Sequence, residues 1–418
     1  MGFPKDRRRL VVAVAALVAV AAIAATVHRV LAPAEVSTVG RGGYPAAARP
    51  APGVIGRLPV APLIVDARLR VYAAHRQVYA DRPVDRKYRT TPYWSYRRWP
   101  AQLSGVVASG TTVVSRWSDG RVVALDARDG RVLWRADGPV PAGTGPTARR
   151  TGAATVWDPR GFYLANGAGG RTVLVVTGDV QARGWELTDG RELWRAELPG
   201  ACRTDVGTTA SGQLIGVDAC AGPAAVEFRD AATGAVRGRW RPPGSPDDLV
   251  VTPIGCRTGR SDCPALRTAG PGDAGGRGWL LDAAAPVAAP ALDPAGATLA
   301  GEQAIAVVDG VVIARSARSG AELWRVDDLG PVRVIAVQPG RVHLLTEANA
   351  LVTLDPVTGA QRSRFSLNVG SDGTGWAPGA VSAVDGYVAV ERLREPVDPD
   401  GDDQRYFFTS EAVILAAT

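Results

Sequence analysis

One ten-residue pattern constrains the fold more than any other feature of the chain. LDARDGRVLW at Leu125–Trp134 returns as WELTDGRELW at Trp185, FRDAATGAVRGRW at Phe228, ARSARSGAELW at Ala314 and TLDPVTGAQRSRF at Thr353. The turn glycines, Gly130, Gly190, Gly234, Gly320 and Gly359, lie 60, 44, 86 and 39 residues apart. The long interval holds a degenerate copy, LLDAAAPVAAPAL at Leu280–Leu292, with Pro286 in the glycine position. Six copies then recur with a mean spacing of about 46 residues, the length of one four-stranded propeller blade.

Each copy is explained by strand and turn physics without a ligand. Glycine takes positive φ at little cost, so it suits the residue that leaves a tight turn before an outer strand. Asp126, Asp230 and Asp355, with Glu186 and Ser316 at the same place, are positioned to accept hydrogen bonds from the turn amides. Trp134, Trp194 and Trp324 stand four residues after their glycine, Trp240 and Phe365 six after, so a period of two puts all five on one strand face. There they are expected to wedge between neighbouring blades. Upstream of the first copy, SGVVASGTTVVSRWSDGRVVALDARDG alternates apolar and polar residues between glycine turns and reads as three strands.

The expected architecture is therefore an all-β, seven-bladed propeller of four-stranded antiparallel blades over residues 61–418. A strand-like segment at Leu63–Ala73 completes the last blade in this reading, whereas eight blades result if residues 61 to 100 form one of their own. The 49 Gly and 31 Pro, spread throughout, fit many short strands joined by turns.

The N-terminus differs in kind. KDRRR at 5–9 precedes Leu10–Val27, a run without a charge, which suggests a cytoplasmic basic end (1–9) and a transmembrane signal anchor over 10–31. The rest is then extracytoplasmic. Residues 32–60, rich in Pro, Gly and Ala, read as a semi-extended linker. The basic N-terminus also locates the charge: of the net +7, the first 34 residues carry +4. The remaining +3 gives no reason to expect a nucleic-acid partner. All four cysteines follow the apolar run, and sequential pairing of Cys202 with Cys220 and Cys256 with Cys263 is expected in an oxidising compartment.

VVSRWSDGRVVALDARDGRVLW resembles the PQQ-like β-propeller repeat, which builds quinoprotein alcohol dehydrogenases and also the non-enzymatic propeller scaffold of outer-membrane β-barrel assembly. The likeness covers most of residues 100–418. The enzymes of that group add adjacent cysteines over the cofactor, a calcium held by Glu, Asn and Asp, and a catalytic Asp. No adjacent cysteines occur here, so no catalytic or cofactor-binding residue is assigned and a degenerate PQQ-dependent dehydrogenase is the alternative.

Three segments bear on function. Asp398, Asp400 and Asp402 alternate like the start of a calcium loop, but Asp403 occupies the place of the turn glycine and no Glu stands at the twelfth position. A solvated loop is expected. His75–Pro100 interleaves Arg with Tyr and Trp, as partner-binding segments do, or else is a lead-in strand packed through Trp94 and Trp99. Gly138–Gly152 is an insertion on one propeller face. The resulting expectation is a non-catalytic scaffold or sensor that binds an envelope protein or ligand through face loops.

Overall fold

The computed structural model describes residues 5–31, 34–142, 151–273, 275–282, 285–369, 375–394 and 411–418. Among them the strands form eight antiparallel sheets, each a propeller blade. In chain order the blades span 62–99, 103–137, 162–197, 203–240, 250–288, 298–326, 332–366 and 377–417, numbered here 1 to 8. Each runs from an inner strand at the axis to an outer strand at the rim, so first-to-second and third-to-fourth connections open on one face, here the turn face. Second-to-third loops and crossings to the next blade open on the other, the connection face.

The blade count corrects the expected seven. Residues 62–99 form a blade of their own: Leu63–Ala73 contributes to two paired strands, Pro62–Val65 and Leu69–Ala74, not to closure of the ring. Closure by an N-terminal strand does occur, but earlier in the chain. Gly53–Leu58 pairs antiparallel with Val413–Ala417 as the outer strand of blade 8, with Gly53 opposite Ala417 and Leu58 opposite Val413. This links the two ends of the propeller through backbone hydrogen bonds that cannot slip without displacing the buried Leu58 side chain.

The linker expected at 32–60 is corrected as well. Ala34–Thr38 pairs with Trp94–Trp99, making blade 1 five-stranded, with Ala34 opposite Trp99 and Thr38 opposite Ser95. Residues between these two N-terminal strands cross the turn face as a strap, tied by Ala48 N–H to Ala67 O at 2.9 Å and by the Tyr387 hydroxyl to Ala48 O at 3.0 Å.

A helix, Lys5–Leu31, forms where the anchor was expected. Among the described residues no helix is long and apolar enough to cross a membrane, so the transmembrane anchor is not supported.

The core lies within and between blades. One cluster joins Leu63, Val71 and Trp94 of the N-terminal blade to Leu58, Val413 and Leu415 of the last, and to Val106, Val113 and Trp117 of blade 2. Elsewhere the second and third strands are nearly all buried, as in Val122–Leu125 and Val173–Val176.

Candidate functional site

The signature turns are built alike. Gly130, Gly190, Gly234, Gly320 and Gly359 have φ between 71° and 77°, and each donates its N–H to the carbonyl four residues back. Asp126, Asp230 and Asp355 accept turn amides from Arg128, Ala232 and Val357 at 2.8–3.0 Å, and Ser316 accepts from Ser319 at 3.2 Å. Glu186 departs from that role; its carboxylate is 3.8 Å from Arg171. Ladder register shifts at the start of the outer strand, as at Val132/Trp134 and Ala314/Arg315, are what an αL glycine followed by a bulge produces.

The tryptophans act across seams. Trp134 of blade 2 donates its indole N–H to Leu187 O of blade 3 at 2.8 Å, and a methyl placed on Gly190 would lie 2.5 Å from its ring. Trp194 does the same to Ala231 O and Gly234 of blade 4, and Trp324 to Pro356 O and Gly359 of blade 7. Trp94 seats on Gly130 and bonds Ala127 O at 2.9 Å, a fourth member that the repeat pattern had not included. The missing glycine turn in blade 1 explains why: residues 82–93 replace it. Trp240 instead meets Trp279 edge-on with centroids 4.8 Å apart, nothing lies within 4 Å of a methyl built on Gly320, and Phe365 packs against the core shared with blade 8.

The axis is filled from both faces. From the turn face, the blade 5 loop stapled by Cys256–Cys263 crosses to blades 3 and 4. Cys263 N–H bonds Thr208 O at 2.7 Å, Ser261 Oγ accepts from Leu164 N–H at 3.0 Å, and Asn166 bonds Asp262 at 2.9 Å. From the connection face, the insertion after blade 2 brings in a short helix, Ala153–Val156, packed against the inner strands of blades 1 and 2. Thr151 bonds Glu391 of blade 8, and the Trp157 indole N–H donates to Pro62 O at 2.8 Å. Arg260 and Asp158 join the two insertions through a 2.7 Å ion pair.

Buried Arg116 fixes the base of the second insertion by donating to Gly161 O, Pro139 O and Thr177 O at 2.7–3.0 Å. Burial pushes its pKa down to about 10, a level at which it remains charged at neutral pH. Burial also raises the Asp205 and Asp262 carboxyls against the opposing effects of Arg203 and Arg257. Asp205 is engaged by Arg203 and closed in beside Tyr163, whose hydroxyl bonds its carbonyl at 2.9 Å.

The second disulfide, Cys202–Cys220, lies on the connection face and ties the entry of blade 4 to its second-to-third loop. Asp398, Asp400 and Asp402 lie outside the described residues, and no group of three or more His, Cys, Asp or Glu that would hold a metal occurs among those described. The axial residues do not fit a quinone cofactor: a stapled loop and a helix occupy the space at the centre of the ring.

The turn face of blade 1 is the chemically distinctive surface. Arg70 and Asp81, both fully buried, form a two-point ion pair at 2.7 Å. Arg70 also donates to Arg86 O and Tyr88 O at 2.7 and 3.0 Å, while Asp81 accepts Thr90 N–H at 2.9 Å. A buried pair whose spare donors hold backbone carbonyls fixes the loop more than it stabilises the core. The loop thereby displays Arg86, Lys87, Tyr88 and Arg89 to solvent, with Tyr88 61% exposed. Trp94 is buried and Trp99 lies under Arg76 at 4.1 Å, so His75–Pro100 is both a packed blade edge and a basic, aromatic loop.

No curated protein matches the chain. Among solved structures, BamB from Moraxella catarrhalis is similar at 13% identity over 85% of this chain and 93% of that one, with a TM-score of 0.44. The C-terminal WD40 domain of Sif2 is similar at 12% identity over 88% and 96%, TM-score 0.45, and U3-55K at 13% over 86% and 100%, TM-score 0.43. The sequence itself, over residues 90–253 and 277–410, matches the family described as outer membrane protein assembly factor BamB, and the chain belongs to that PQQ-repeat family.

Proposed function

We propose that the protein is an extracytoplasmic, non-catalytic propeller that binds another envelope protein through the turn-face loop of blade 1. The observation that carries this reading is the filled axis: loops from two blades, one held by a disulfide, occupy the place where propeller enzymes admit substrate. Binding is left to the rim and faces. There the loop of residues 85–89 combines exposed Arg and Tyr with a backbone held from beneath, the composition and preorganisation of a contact hot spot. Membership of a family described as an assembly factor supports a protein partner, and two disulfides suit an oxidising compartment.

A photo-crosslinking residue placed at Tyr88 in intact cells tests this reading, with Val357, 64% exposed in the turn of blade 7, as the control on the same face. One discrete adduct at Tyr88, absent at Val357 and lost on Arg86→Ala, is expected. Equal labelling at both positions, or saturable PQQ binding with dye-linked alcohol oxidation, would contradict it.

A further inference from the structure

Beside that loop lies a cleft of about 810 Å³ lined by Ser37, Thr38, Arg41, Arg82, Thr90 and Thr91, with Val39, Gly40, Pro92 and Tyr93 completing its wall. No carboxylate is among the lining residues. Arg82 lies over the Tyr93 ring at 3.8 Å and donates to Gly43 O and, at 3.0 Å, to Arg41 O; these acceptors are neutral. Among the described residues, neither Arg41 nor Arg82 has an acidic partner within ion-pair distance, although surface arginines elsewhere pair freely, as Arg131 does with Asp129. The two arginines that line the cleft, Arg41 and Arg82, therefore stand there without a carboxylate as ion-pair partner.

Hydrogen bonds within the protein tie the walls of the cleft together. Tyr93 donates its hydroxyl to Arg128 O at 2.7 Å, with Gly42 O at 3.1 Å sharing the same proton, and its N–H to Ala80 O at 2.6 Å. Gly40 N–H bonds Asp129 O at 2.8 Å, and a methyl on Gly40 would lie 2.7 Å from the Tyr93 ring, so only glycine lets the strap come this close. From the other side, Asp81 holds Thr90. The loop of blade 1, the N-terminal strand and the signature turn of blade 2 thus converge on one preformed site.

We propose that this cleft binds a phosphate ester of a polyol. Guanidinium groups match phosphate oxygens, and Ser37, Thr38, Thr90 and Thr91 offer hydroxyls that both donate and accept, as neutral polyol hydroxyls between charges require. An acidic peptide would need recesses for its other side chains, and Val39 and Pro92 are the only aliphatic ones in the wall. The proposal stands apart from the protein partner proposed above.

The test is calorimetric titration of the full chain at low salt with glycerol 3-phosphate, with inorganic phosphate, glycerol and hexaglutamate as separate arms. Glycerol 3-phosphate is expected to bind more tightly than inorganic phosphate, and glycerol to give no heat. Arg82→Gln and Arg41→Gln should each weaken glycerol 3-phosphate binding about tenfold or more, the loss of one charge-assisted contact. Arg41 is exposed, so its variant reads binding without disturbing the strap, and Arg277→Gln in blade 5 should change nothing. No binding, binding unchanged in Arg41→Gln and Arg82→Gln, or tighter binding of hexaglutamate would each overturn the proposal. Tyr88 crosslinking reads a different surface and can fail or succeed independently.

Discussion

Blades 1 to 4 and blades 4 to 6 are made from the same repeat but are joined differently. Between the first four, every seam has a tryptophan seated on the next blade's turn glycine with its indole N–H on the carbonyl three residues before that glycine. Between blades 4 and 5 the turn glycine is missing, and Trp240 meets an indole edge instead. At the next seam the glycine remains but its tryptophan is gone, because the outer strand of blade 5 is reduced to Val287–Ala288. A turn that keeps its conformation without its aromatic shows that glycine serves the turn first and the seam second.

Blade 5 compensates at the axis. The one blade whose outer strand is nearly lost sends the stapled loop across the centre, exchanging rim contacts for bonds to blades 3 and 4 and, through Arg260, to the insertion after blade 2. The ring is thus fastened by tryptophan seams from blade 1 to blade 4 and again between blades 6 and 7, while blade 5, which lies between seams that lack this pairing, is held through the centre.

The comparison predicts unequal responses to equal substitutions. Trp134→Ala should cost about 3–5 kcal/mol, since it leaves a cavity and strips a buried carbonyl of its donor. Trp240→Ala, which removes a half-buried ring without such a bond, should cost clearly less in the same denaturant titration. Alanine at Gly190 should cost about 2–4 kcal/mol, combining left-handed strain with collision against Trp134, and at Gly320 only about 1 kcal/mol for the strain alone. Equal losses at the two glycines would remove the distinction between seamed and unseamed turns.

How much of this was readable in the sequence follows from where each signal comes from. The αL turns and the outer-strand tryptophans are local, so Gly130 to Trp134 and its echoes announce the blade directly. Blade 1 was hidden because its signature turn is replaced by residues 82–93, although Trp94 keeps the place of the seam aromatic. Gly53–Leu58 was read as linker since a strand that pairs with residues about 360 positions away carries no local mark beyond its few apolar residues. The basic and aromatic character of His75–Pro100 was visible, but its two roles were not: that Arg70 and Asp81 hold the loop, and that Ser37 and Thr38 line one cleft with Thr90 and Thr91, depends on long-range pairing. Cysteine spacing suggested the Cys256–Cys263 loop without disclosing that it spans the axis.

Two further outcomes sharpen the contrast. Replacing Cys256 and Cys263 together by Ser should cost about 2.5 kcal/mol from the freed loop and make the blade 5 side the first to open, whereas loss of Cys202–Cys220 should loosen only blade 4. His343, buried in blade 7 between Gln338 and Thr353, has its pKa lowered from 6.5 to about 3, by burial and then by Arg341. Between those values the unfolded chain binds more protons than the folded one, so stability falls as pH drops through that window. By pH 5 the loss is about 2 kcal/mol, and His343→Gln should flatten the acid limb of a stability–pH curve.

Blade-resolved amide hydrogen exchange on the intact protein tests the uneven fastening most directly, because local opening reports how each blade is held. Second and third strands of blades 2 and 3 are predicted to exchange slowest and those of blade 5 fastest, with the gap widening when Cys256–Cys263 is reduced. Uniform protection around the ring, or blade 5 outlasting blades 2 and 3, would contradict it.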